Sequence, residues 1–187
     1  MIVPVTTIIE IAETGSPIGR LLLLAREGAL CGVGLGDEPD WARDEILRRF
    51  GDVEFRTSDD PAGAVSALER YFSGDLHTLD SVPVDPGGTP FQRRVWSALR
   101  DIPVGQTRSY SYIARIIGSP DAVRAVGAAN AANPVAIVIP CHRVIGADGG
   151  LVGYGGGLDL KRWLLAHEGV RLPVERPRQK PLPFDPA

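Results

Sequence analysis

The chain has 187 residues, 44% of them apolar and 23% charged, with a formal net charge of −3. This composition can fill one sizeable domain or two small ones, and no apolar run approaches the roughly 18 residues needed to span a bilayer. Two distant cysteines, Cys31 and Cys141, and three scattered histidines argue against a disulfide framework and against any metal site, zinc included. The N-terminus lacks a basic region and carries Glu10 and Glu13 early, so no signal peptide is read and a cytoplasmic location is expected.

The first half alternates strands and helices. Residues 3–11 read as a strand and Ser16-Pro17-Ile18-Gly19 as a turn. Residues 20–25 and 29–35 are apolar runs split by Glu27-Gly28, the pattern of a hairpin. Residues 40–50 place Trp41, Ile46, Leu47 and Phe50 at helical spacing, residues 53–56 suit a short strand, and residues 61–72 form a second helical pattern. Residues 82–88 are rich in Pro and Gly and mark a linker, so an N-terminal α/β domain is placed at 1–85 and a second domain at 86–170.

The second half reads as mainly helical. Thr89-Pro90-Phe91-Gln92 has the form of a capping box with Pro at the first helical position. The helix it opens carries Phe91, Val95, Trp96, Leu99 and Ile102. Ser109 begins a short helix stopped by Gly118, and Ser119-Pro120 leads into another over residues 121–131, ended by Asn133-Pro134. Two short helices around a tight Gly-Ser-Pro turn match a helix-turn-helix. The second is built of small residues with one arginine, Arg124; it suits either close approach to a partner or burial in its own domain. Residues 135–139 read as a buried strand leading into Pro140-Cys141-His142-Arg143. A glycine-dense loop spans 146–157, a final helix covers 158–167, and the Pro-rich tail 171–187 reads as disordered.

Charge is divided unevenly. Residues 1–85 hold seven Lys/Arg against sixteen Asp/Glu, whereas residues 86–169 hold nine against five. Only the second half suits a polyanion, although ordinary surface variation accounts for the split equally well.

Cys141 is the candidate nucleophile. A free thiol, with a pKa of about 8.5, is mostly protonated at neutral pH and needs a base or a positive charge. His142 and Arg143 follow it directly, and Glu168 could orient an imidazole, though spacing does not establish that it lies near. On extended chain His142 points away from Cys141, so the pair requires a turn or a bridging water. The alternative for Cys141, and the preferred reading for Cys31, is a small buried residue.

The stretch IPCHRVIGADGGLVGYGGGLDLKRWLLAHEG closely resembles the active-site region of the O6-alkylguanine-DNA alkyltransferases, as does the run from TPFQRRVWSALRDIPVGQTRSY through RAVGAANAANPVAIVIP. The close match covers residues 89–169; the first half matches loosely, through features such as SPIG. The resemblance implies a ribonuclease-H-like N-terminal domain with a mixed sheet, and a helical, winged-helix-like C-terminal domain. It implies direct-reversal DNA repair: Cys141 takes the alkyl group from O6-alkylguanine, with O4-alkylthymine a further candidate substrate. His142 acts as base through water with Glu168 holding it, Tyr110 sits beside the extruded nucleotide, and Asn133 braces the turn before Cys141. Arg124 fills the gap in the duplex, with Ser109, Tyr110, Ala125, Gly127 and Ala128 along a minor-groove surface. Pro140, Val144, Tyr154, Gly155 and Gly156 form the substrate pocket, with the main chain near Cys141 and Val144 reading the guanine edge.

No cofactor is expected, because the DNA supplies the alkyl group, and the product thioether ends the reaction at one turnover. A monomer is expected. Gly155 stands where some members carry a hydroxyl residue, and the zinc ligands of some members are missing. Three other readings remain: a non-catalytic lesion binder, whose members usually carry tryptophan in place of the cysteine; a Cys-His hydrolase, which turns over; and a plain DNA-binding module indifferent to Cys141.

Overall fold

The computed structural model of the protein describes residues 6–36 and 39–172. The first half is a four-stranded sheet with two helices. Its strands are β1 (Thr7–Ser16), β2 (Gly19–Arg26), β3 (Ala29–Leu35) and β4 (Val53–Thr57), in the order β3-β2-β1-β4. β1 pairs antiparallel with β2, β2 antiparallel with β3, and β1 parallel with β4, so the sheet is mixed. The turns fall at Pro17-Ile18 and Glu27-Gly28, as the breaker residues predict. β1 runs past the expected end at residue 11 to Ser16, and residues 3–5 of the expected strand lie outside the described residues.

Four consecutive leucines make β2 a strand buried on both faces. Leu22 and Leu24 pack with Ile9, Ile11 and Cys31 against Ala42 and Ile46 of α1 (Trp41–Phe50). Leu21 and Leu23 face the other way, toward α2 (Ala64–Phe72) and the whole second half. The helical spacing in α1 picks out the wrong residues in part: Trp41 and Leu47 are exposed, and Ala42 and Ile46 form the buried stripe. α2 begins at Ala64 rather than 61, because Ala62 and Gly63 have positive φ and break the turn that Pro61 opens.

The second half holds α3 (Pro90–Arg100), β5 (Arg108–Ser109), α4 (Tyr110–Ile116), α5 (Val123–Ala131), β6 (Val144–Ile145) and α6 (Gly157–His167). The capping box of α3 forms in both directions: Gln92 N–H donates to Thr89 Oγ1 (3.2 Å) and Thr89 N–H to Gln92 Oε1 (2.8 Å). Gly88, at φ +75°, lies so close to Trp96 that a Cβ there would meet the indole at 2.6 Å. α4 is capped by Ser109. α5 starts at Val123, two residues after the expected position, because Ser119 to Ala122 close a turn first.

One apolar cluster spans both halves, from Leu21, Leu30 and Val33 through Leu68 and Tyr71 to Val95, Leu99, Ile113, Val126, Val144 and Leu164. The open edge of β3 is covered from two sides: Leu30 exchanges hydrogen bonds with Pro83 and Asp85 at the end of the first half, and Val33 N–H donates to Pro134 O of the second. Among the described residues no helix is long and apolar enough to cross a membrane. Of the tail read as disordered, residues 173–187 lie outside the described residues.

Candidate active site

The expected strand at 135–139 is not formed. Val135 to Ile139 instead close a compact turn, with Ile139 N–H donating to Val135 O and Ile137 held at φ +74°. A short buried apolar run suits a turn as well as a strand when its polar backbone is satisfied from outside. Here Asn133 satisfies it: Val135 N–H donates to Asn133 Oδ1 (3.0 Å), and Asn133 Nδ2 donates to Ile139 O (2.8 Å). Asn130, in the last turn of α5, donates from Nδ2 to Cys141 O at 3.4 Å. The chain then enters a 3-10 turn over Cys141–Arg143 rather than continuing as strand.

Cys141 is 4% exposed and lines a cavity of about 280 Å³. Around it stand Asn130, Asn133 and Tyr154, with Leu35 and Trp41 contributed by the first half. Ala131, Ala136, Gly153, Gly155 and Gly156 complete the wall, and a Cβ at Gly155 would meet nothing within 4 Å. Burial pushes the Cys141 thiol pKa up; a hydrogen bond from Asn133 and the nearby charge of Lys161 oppose the rise without cancelling it. The resting sulfur is therefore a protonated thiol at neutral pH and needs a base.

The candidate base follows the thiol in the chain. His142 is fully buried, and its Nε2 lies 2.8 Å from Glu168 Oε1. Arg143 grips the same carboxylate twice, Nε to Oε2 at 2.8 Å and Nη2 to Oε1 at 2.9 Å, and its Nη1 donates to Ile102 O. The Tyr71 hydroxyl, from α2, donates to Glu168 Oε1 at 2.9 Å. Burial alone would raise the Glu168 pKa, but the bonds from His142 and Arg143 outweigh it and hold the carboxyl at about 2. Glu168 is thus an ionised acceptor, so the proton on His142 sits on Nε2. His142 Nδ1 is then a buried lone pair with no partner among the described residues. Burial, and secondarily the charges of Arg143 and Lys161, keep the imidazole pKa below its usual value.

The other expected residues divide into two groups. Tyr154 lines the cavity, and its buried hydroxyl lies beside the Cys141 sulfur. Tyr110 is half-buried, packs toward Gly127 of α5, and lies close enough to Cys141 for charge on the sulfur to raise its pKa, after burial. Pro140 and Val144 are buried and are not among the cavity's lining residues; Val144 O instead accepts from Lys161 Nζ at 2.6 Å. Arg124, Ala125 and Ala128 are exposed on one side of α5, with Gly127 and Ser109 half-buried.

Tyr71, Arg143, Lys161 and Asn130 escape the sequence reading as site residues. Lys161 is buried and holds Val144 O and Val152 O (2.8 Å) together, tying the glycine loop to the Cys141 turn. A lysine three and four residues before Leu164 and Leu165, on the apolar face of α6, was the available signal. Among the described residues no group of three or more His, Cys, Asp or Glu could hold a metal.

Comparison with known proteins agrees with this geometry. A family model described as 6-O-methylguanine DNA methyltransferase, DNA binding domain, matches residues 90–170, and one described as 6-O-methylguanine DNA methyltransferase, ribonuclease-like domain, matches residues 12–86. A methylated-DNA–protein-cysteine methyltransferase of Mycolicibacterium paratuberculosis is 49% identical over 172 residues, covering 89% of this chain and 96% of that protein. One from Shigella flexneri is 52% identical over 128 residues, covering 68% and 75%. The solved structure of Mycobacterium tuberculosis OGT in complex with DNA aligns with a TM-score of 0.71 at 43% identity, over 85% of this chain and 92% of that one. The chain belongs to the 6-O-methylguanine DNA methyltransferase family.

Proposed function

We propose that this protein repairs DNA by direct reversal, moving the alkyl group of O6-alkylguanine onto Cys141 in a single irreversible event. The observation that carries the reading is a buried thiol opening onto a 280 Å³ cavity, followed in sequence by a histidine whose other nitrogen is locked onto an ionised Glu168. Family membership, and a relative crystallised with DNA, support it independently.

In a duplex the alkyl carbon is shielded by neighbouring bases, so the nucleotide must leave the stack, at a cost of a few kcal/mol. α5 suits this step. Ala125, Gly127 and Ala128 allow the helix to approach a minor groove closely, and Arg124 projects from the same helix to fill the vacated position. Tyr110, between α5 and Cys141, is placed to meet the extruded nucleotide.

The transfer balances without a cofactor. The thiol proton passes to His142 Nδ1, directly or through a water, while Nε2 stays hydrogen-bonded to Glu168. The sulfur forms a bond to the alkyl carbon as the carbon–O6 bond breaks, and O6 keeps the electron pair. The released guanine regains a proton at N1, so the net exchange is alkyl for hydrogen. Arg143 neutralises Glu168, so the cluster holds the imidazole in place without fixing a positive charge on it beforehand. The thioether has no good leaving group and ends the cycle. Cys31 lies in the apolar cluster on the opposite face of the sheet and takes no part.

The test is mass spectrometry after incubation with duplex DNA containing O6-methylguanine. One methyl gained per chain, on the peptide holding Cys141, is the expected result. Repaired DNA in molar excess over protein, or repaired DNA with no mass gain, overturns the reading.

A further inference from the structure

Two consecutive residues, the last of α6 and the one after it, hold both ends of a single residue of the first half. His167 Nε2 lies 2.8 Å from the main-chain oxygen of Tyr71, and Glu168 Oε1 accepts from the Tyr71 hydroxyl at 2.9 Å. The carbonyl can only accept, so His167 Nε2 carries the hydrogen. The Tyr71 ring meets the His167 imidazole edge-on, with centroids 5.0 Å apart, and the Phe72 ring at 5.3 Å. Tyr71 is fully buried, and burial followed by the charge of Glu168 keeps its phenol protonated. Its hydroxyl is therefore a permanent donor whose direction is set by packing.

The carboxylate it meets has no acceptor site to spare. An ionised carboxylate offers about four lone-pair sites. Glu168 receives four hydrogen bonds: Tyr71, His142 and Arg143 Nη2 on Oε1, and Arg143 Nε on Oε2. Tyr71 and His142 thus share one oxygen. Each donor that stabilises the charge of the carboxylate leaves less of it to attract the next. We propose that Tyr71 is a positioning residue for His142, acting through the shared Glu168 oxygen to limit the pull of the carboxylate on the imidazole. The inference rests on the alkyl-transfer reading for the role of His142 as base, and adds to it a control that comes from the other half of the chain. An imidazole drawn too strongly by an anion is protonated before the reaction begins, and Nδ1 then has no lone pair for the thiol proton.

The groups facing His142 are Glu168 at the end of α6, Lys161 within it and Arg143 of the Cys141 turn. Tyr154, beside Cys141, faces Tyr71 and Glu168 from the cavity side. Glu168 is held at about 2 and burial lowers Lys161 to about 8, so His142 is the member of this set that changes charge between them. The experiment follows the His142 imidazole by NMR in the full chain from about pH 5 to 8, where three histidines give few signals and His167 has its own. Single-turnover transfer from an O6-methylguanine duplex is measured over the same range. In Tyr71→Phe, which keeps the ring, the His142 inflection is expected to rise by about 0.5–1 pH unit, and the acid limb of the rate profile with it. With 3-fluorotyrosine at position 71, a stronger donor of nearly the same shape, both move the other way; this arm decides the matter if the phenylalanine variant does not fold. A His142 inflection that stays in place, or a rate lowered equally at every pH, is what a merely structural Tyr71 gives and overturns the inference. No methyl on Cys141 of the unmodified protein overturns the alkyl-transfer reading; the NMR titration needs no DNA and still decides whether Tyr71 governs His142.

Discussion

At the scale of single residues, the Cys141 sulfur depends on groups that never touch the substrate. Cys141→Ala is expected to abolish alkyl uptake while leaving DNA binding intact, measured by methyl incorporation beside a duplex-binding titration; loss of binding as well would count against the acceptor role. Glu168 carries a sharper prediction. Its carboxyl, ordinarily near 4.5, is held at about 2 in the folded chain. Its contribution to stability is therefore fully present above pH 4.5 and is lost as pH falls toward 2, amounting to about 3 kcal/mol. His142 acts in the same direction: its folded pKa is depressed, so the unfolded chain takes up the proton first and stability falls as pH drops through 6.5. Urea midpoints at pH 7, 5 and 3 should descend in that order. Removing the carboxylate by Glu168→Ala leaves Arg143 as an unpaired buried cation and should cost about 3–5 kcal/mol. Cys141, His142, Glu168 and Tyr154 were accessible to sequence reading because a contiguous motif carries them. Tyr71 was not: it reaches Glu168 from 97 residues away, and no spacing rule encodes a contact of that separation.

Secondary-structure elements were legible where their signals are local. The capping box of α3, the Glu27-Gly28 hairpin and the Gly118 stop each rest on a few adjacent residues, and each forms. Residues 135–139 were misread because their conformation is decided by Asn133, whose side chain replaces the partner a strand would need. Two elements carry predictions. In α5, Arg124→Ala should slow repair of duplex DNA by about 10-fold or more while sparing reaction with free O6-benzylguanine, which needs no vacated stack to be filled. Equal slowing of both would mean that Arg124 supports the fold. In α6, Lys161→Met removes the donor shared by Val144 O and Val152 O. Stability should fall by about 1–3 kcal/mol per orphaned carbonyl, and faster proteolysis within residues 146–157 would show that the glycine loop has come away from the Cys141 turn.

Across the whole molecule, the Pro/Gly-rich stretch at 82–88 marks a boundary between two halves but does not say how they join. The structure packs Leu21 and Val33 into the same apolar cluster as Val95 and Leu164. A single calorimetric transition is therefore expected, with calorimetric and van't Hoff enthalpies in agreement; two resolved transitions would contradict the continuous core. Trp41 and Leu35 extend this union to the chemistry, since both stand in the wall around the acceptor sulfur while belonging to the sheet-bearing half. The β3 edge, bonded through Val33 to Pro134, ties the fit of one portion to the backbone of the other. A chimera taking its sheet from one homologue and its helices from another would inherit a mismatched seam at Pro134, seven residues before its nucleophile, and grafting should fail there sooner than at any loop on the periphery.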